Sequence, residues 1–134
     1  MLLPYQAVVA NGGVSNAAPI DKQFIVRFAS GIEDEDPNDV FCAYFGGQTS
    51  AAGTLDASVS NMPIQTSPAL AHALGAPIAA MTQIAAPGSA DELKFCEFTG
   101  GRIRVRANTT LGAGLAVVSI ALMGNRPFTV TEIP

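Results

Sequence analysis

Hydrophobic and polar positions alternate in short runs along this chain, and glycine, proline, asparagine or aspartate separates one run from the next. Residues 54–60 show it most plainly. Leu55, Ala57 and Val59 fall on one side of an extended backbone, and Asp56, Ser58 and Ser60 on the other. Residues 102–109 repeat the pattern, with Ile103, Val105 and Ala107 opposite Arg102, Arg104 and Arg106. Further strands are expected at 5–10, closed by Asn11-Gly12-Gly13, at 23–29, at 39–45, closed by Gly46-Gly47, at 92–99 and at 128–133. Residues 115–123 are apolar on both faces apart from Ser119. That marks a central strand, covered twice by its own domain or once by the domain and once by a partner. Residues 110–114 read as a flexible hairpin connection into it.

One segment departs from this rhythm. Ser67 and Pro68 suit the start of a helix and Gly75 its end, so 67–75 predicts about two turns of helix or an ordered loop. The Ala/Pro-rich stretch 61–86 around it is the expected long excursion from the sheets. Seven or eight strands with turns between them predict an all-β fold, a single-domain antiparallel β-sandwich of jelly-roll-like form, with a barrel as the alternative. The βαβ alternation of nucleotide-binding folds is missing. The domain is expected to span 1–134, with the apolar ends, Leu2, Leu3 and Tyr5 at one and Phe128 at the other, as extended arms able to add to a partner's sheet.

Composition changes this picture in one respect. The 134 residues carry 7 Lys and Arg and 11 Asp and Glu, so 18 charges (7 + 11) cover the whole surface, about half the usual share. With 49% hydrophobic residues the chain is not disordered, and a pI near 4.7 has the wrong sign for nucleic acid. A surface so poor in charge predicts burial against partners. No apolar run is long enough to span a bilayer, and the N-terminus lacks the basic region of a signal peptide. The reading is a protein made in a cytoplasm, as virion components also are.

Candidate chemistry is sparse. His72 is the one histidine and has no acidic neighbour in sequence to orient it, so catalysis by a nucleophile–base pair is not expected. Cys42 and Cys96 sit in apolar strand-like runs and read as buried thiols, or as a disulfide if their strands are neighbours. Glu33, Asp34, Glu35 and Asp36 form an acidic run that begins like a cation-binding loop, and the match fails where Asp39 and Phe45 stand in place of the required Gly and Glu. The run is either a solvated, self-repelling loop or an electrostatic dock for a basic patch. Arg102, Arg104 and Arg106 form a row with steps of about 6.7 Å, either a solvated outer face or a dock for an acidic surface. No metal, cofactor or catalytic residue is predicted.

The last third of the chain, Gly100-Gly101-Arg102-Ile103-Arg104-Val105-Arg106-Ala107 through Gly112 to Leu115-Ala116-Val117-Val118-Ser119-Ile120-Ala121-Leu122-Met123-Gly124, resembles the closing hairpin of small tailed-phage structural proteins, and in size and acidity the chain is similar to their capsid decoration (cement) proteins. The resemblance implies a non-enzymatic jelly roll on the outside of a virion. Its partners would be the major capsid protein and further copies of itself, as a dimer or trimer, with no nucleic acid, membrane or cofactor. Another virion part (tail, connector or fibre base) and a carbohydrate-binding sandwich are the alternatives. The absence of Trp and the presence of only two Tyr weigh against the sugar. Particle imaging would separate the virion locations.

Overall fold

In a computed structural model, residues 4–28, 41–62, 79–85, 87–95, 101–112, 115–125 and 127–133 are described. They form nine strands: β1 (Tyr5–Val14), β2 (Ile20–Phe28), β3 (Phe41–Thr49), β4 (Leu55–Met62), β5 (Ala79–Ala80), β6 (Gly88–Phe95), β7 (Gly101–Thr109), β8 (Ala116–Gly124) and β9 (Phe128–Ile133). Two sheets result, a four-stranded one in the order β1-β8-β3-β6 and a five-stranded one in the order β5-β4-β7-β2-β9. Every pairing is antiparallel. The two sheets sandwich one apolar core. The residues expected as a helix or ordered loop at 67–75, with His72, lie outside the described residues, as do Leu2, Leu3, Cys96 and the acidic run Glu33, Asp34, Glu35 and Asp36.

The core follows from the alternation. Leu55, Ala57 and Val59 of β4 and Ile103, Val105 and Ala107 of β7 are all buried, and they face Val14, Ala43, Phe45, Val118, Ile120 and Leu122 of the other sheet. Phe45 lies directly beside Ile120 in the β3–β8 ladder, and neither is exposed at all. β8 is central, between β1 and β3, as its apolar sequence requires.

Three local expectations are corrected. Asn11-Gly12-Gly13 and Gly46-Gly47 do not close their strands; β1 and β3 run through them to Val14 and Thr49. In β1 a bulge at Val9 turns both Val9 and Ala10 inward, and Gly12 takes φ +148°, which lets the strand stay paired to Val118. In β3 the neighbours stand in for the missing side chains. The Tyr44 ring lies over Gly46, and Leu55, Met81 and Ile84 close over Gly47. The third correction concerns 110–114. β7 and β8 belong to different sheets, so the segment is a corner and not a hairpin. It is also pinned: the Thr110 N–H donates to Thr54 O (3.1 Å), the Thr109 hydroxyl to the same oxygen (2.6 Å), and the Leu111 N–H to Thr109 Oγ1 (3.1 Å), while Leu111 itself is buried.

Of the residues expected in extended arms, Tyr5 and Phe128 are among those described. Tyr5 opens β1 opposite Gly124, and Phe128 opens β9 opposite Phe28, so both belong to strands of this chain's own sheets.

Candidate functional site

The sandwich has two outer faces, and register fixes which residues lie on each. On the five-stranded sheet, residues two apart on β7 place Arg102, Arg104 and Arg106 outward. Beside them stand Ser58 and Ser60 of β4, and Asp21, Gln23, Ile25 and Arg27 of β2. Four of the chain's seven Lys and Arg residues are therefore on this one face. Asp21 stands directly across from Arg106, yet its carboxylate takes the diagonal arginine. Arg104 Nε donates to Asp21 Oδ1 at 2.7 Å and Nη2 to Oδ2 at 2.5 Å, a two-pronged pair. That hydrogen bonding holds the Arg104 guanidinium above its ordinary pKa. Asp56, the other acid of the face, accepts Gln83 Nε2 on both oxygens at 3.0 Å. Among the described residues Arg102 and Arg106 have no carboxylate partner. Arg106 borders a hollow of about 360 Å³ lined also by Asp56, Ser58, Ala80 and Asn108. The row is thus partly compensated: its centre is neutralised inside the chain and its two ends remain open to an incoming acid.

The outer face of the four-stranded sheet is different in kind. Its rows, read across β1, β8, β3 and β6, are Gln6–Met123–Cys42–Phe95, Val8–Ala121–Tyr44–Leu93, Asn11–Ser119–Gly46–Asp91 and Gly13–Val117–Gln48–Ser89. Asp91 is the one formal charge among these sixteen. Val8, Leu93 and Phe95 are 65%, 51% and 77% exposed. Among the described residues the remaining exposed large hydrophobics, Tyr5, Leu115 and Val117, also belong to β1, to the approach to β8 and to β8. A shallow groove of about 350 Å³ crosses the face, floored by Gly46 and edged by Asn11, Tyr44, Asp91, Val117 and Ser119. The Tyr44 hydroxyl donates to the Asp91 carboxylate, and this bond is the first cause of a phenol pKa above the usual tyrosine value. Cys42 is a free thiol with no exposure, and burial pushes its pKa up.

Sequence reasoning placed the arginine row correctly on one face but did not find Val8, Leu93, Phe95 and Val117. The signal was present in β6, where Leu93 and Phe95 alternate with Glu92 and Lys94. Alternation there reads as apolar-in, and the structure has it reversed. Glu92 and Lys94 share the side of Phe45 and Ala43, at the rim of the sandwich, where inward charges on an edge strand discourage edge pairing. Glu92 is satisfied there by the Thr82 N–H at 3.1 Å and by Lys94 at 3.3 Å.

The Thr82 backbone N–H, and after it the Thr82 side chain and Lys94, hold the Glu92 carboxyl below its ordinary range. A depressed carboxyl contributes stability that is complete above the unfolded value of about 4.3 and fades as pH falls through the lower folded one. Glu92→Gln is therefore expected to be less stable than the parent at pH 7 and to converge with it toward pH 3. Urea midpoints at the two pH values check this.

Among the described residues no three His, Cys, Asp or Glu side chains gather as a metal set, and no helix is long and apolar enough to cross a membrane. Compared with protein-family models, curated proteins and solved structures, the chain finds no match.

Proposed function

We propose that this chain is a docking protein of the virion, a capsid decoration protein of tailed-phage type with jelly-roll topology, which binds major capsid subunits and braces them. The strand orders support the topology: 1-8-3-6 in one sheet and 5-4-7-2 in the other are those of two interlocked Greek keys, with β9 added beyond β2. The observation that carries the function is the contrast of the two outer faces. In a chain of net charge −4, four arginines and two acids share one sheet face, and the opposite face has a single charge, Asp91, with Val8, Leu93, Phe95 and Val117 exposed. Both surfaces are suited to protein partners. Arginine is the residue for paired, planar recognition of carboxylates, and the open ends of the row, Arg102 and Arg106, fit an acidic shell surface. Bracing then follows from linkage, since a ligand that binds only the assembled shell stabilises that state.

Purified chain added to empty shells of the phage that encodes it is expected to bind at a fixed ratio and to raise the temperature at which the shells disrupt. Arg102→Glu with Arg106→Glu should weaken that addition by about two orders of magnitude at physiological salt, with the sandwich intact by circular dichroism. Shells that neither bind the chain nor gain heat resistance would overturn the reading.

A further inference from the structure

The outer face of β1-β8-β3-β6 carries one charge and exposes Val8, Leu93, Phe95 and Val117, and its composition and relief describe an occupant. We infer that this face is the contact between two copies of the chain, packed sheet to sheet about a two-fold axis. The axis runs across the strands through the row Val8–Ala121–Tyr44–Leu93. The inference deepens the docking reading above: it gives one face to self-association and leaves the arginine face for the shell.

Three observations support a second copy. The first is size. Four strands about 4.8 Å apart and eight to ten residues long, at about 3.3 Å each, make a flat projection on the order of 550 Å². Side-chain relief brings the accessible area of such a face toward the roughly 800 Å² per partner of a stable dimer. The second is charge. A foreign partner is usually selected by a charge pattern, and this face has only Asp91, already bonded to Tyr44. Under the proposed axis the two Asp91 carboxylates lie about 13 Å apart along the strands, four residues of rise, and beyond the screening length of about 8 Å. Self-pairing therefore meets no like-charge opposition.

The third is relief. A two-fold contact must be complementary to itself, so any ridge on the face needs a hollow at the symmetry-related place. The Phe95 row projects on one side of the axis, and the groove floored by Gly46 lies on the other, one row away in each case. The axis lays each copy's Phe95 row over the other's groove row. Because the axis keeps each strand over its own copy, Phe95 meets the β6 end of that groove, at Asp91 and beside the Tyr44 ring that covers Gly46, and an exposed aromatic seated at a hollow is the kind of anchor that dominates interfaces. Sheets of this sort pack about 10 Å apart with strands inclined by about 30°.

Residues on the axis meet their own copies, which makes the geometry testable. Sedimentation equilibrium of the full chain near 100 µM is expected to give twice the 13.8 kDa chain mass. Val8→Lys with Leu93→Lys, both at exposed positions, should weaken dimerisation at least 100-fold while the circular dichroism spectrum stays that of the parent. In a Cys42→Ala, Cys96→Ser background, Leu93→Cys should form a disulfide-linked dimer under mild oxidation, and Gln23→Cys on the opposite outer face should not. A monomer at that concentration, a trimer, or a dimer indifferent to both lysines would overturn the inference. Failure here is distinguishable from failure of the docking reading. The lysine variant keeps its arginines and should still add to shells, and the arginine variant should lose the shell and keep the dimer.

Discussion

Phe45→Ala is expected to lower the stability of the domain by about 3–5 kcal/mol, the range for removing a large aromatic from a core that cannot collapse around the gap. Phe45 has no solvent exposure. Its place in the ladder beside Ile120, on the strand next to the central β8, puts it in the middle of the four-stranded sheet's inner face. Rigid ladders on β3 and β8 hold the walls of the cavity, so little relaxation is available. For a domain of this size the melting temperature should fall by roughly 10–20 °C. Thermal unfolding by circular dichroism checks it, and a fall of under 5 °C would mean that the core refills. Phe45→Leu should recover more than half of the loss.

The second large effect is expected at Gly53, between β3 and β4. Gly53→Ala should destabilise by about 2–4 kcal/mol, and two independent causes add. Its φ of +150° is a conformation that residues with a side chain adopt only under strain of about 1–2 kcal/mol. A Cβ there would also stand 2.5 Å from Leu111 Cδ2 and 2.9 Å from Leu111 Cγ, well inside contact distance, and overpacking of this kind costs about 1–3 kcal/mol. Leu111 cannot step aside freely, because it is buried and its backbone is tied to Thr109 and to the Asn16 N–H at 3.0 Å. Gly12→Ala is the control. Gly12 has a similar φ, +148°, but nothing stands within 4 Å of a Cβ added there, so only the conformational part should be lost. Equilibrium urea unfolding of the two variants separates strain from crowding.

What the sequence made legible was the set of strands whose neighbours agree with their own alternation. Leu55, Ala57 and Val59, and Ile103, Val105 and Ala107, face the core as their spacing predicts, and β9 has the predicted bounds. What it hid depends on residues distant in the chain. Gly46-Gly47 looks like a turn locally. It stays in a strand because Tyr44 covers one glycine, and Leu55, Met81 and Ile84 cover the other. Whether 110–114 is a hairpin or a corner is decided by β2 and β4 on one side and by β1 and β3 on the other. β5, two residues long, carries no pattern of its own and exists by pairing with Ser58 and Val59. The arginine row was legible because charge on alternate positions has one exposed solution. The apolar outer face was not, since alternation in β6 identifies two faces without saying which of them looks outward.

Successive strands change sheet at every step but one, from β1 to β4 and again from β5 to β9; only β4 and β5 follow each other within a sheet. The first strand is completed by the eighth, and the second by the seventh and ninth. Almost no part of the sandwich can therefore close early from nearby segments. Folding should be slow for the size, in the millisecond-to-second range of domains built from distant pairings. β1 has no partner until the ribosome releases β8, and β2 none until it releases β7, so the two sheets are completed only when most of the chain has been made.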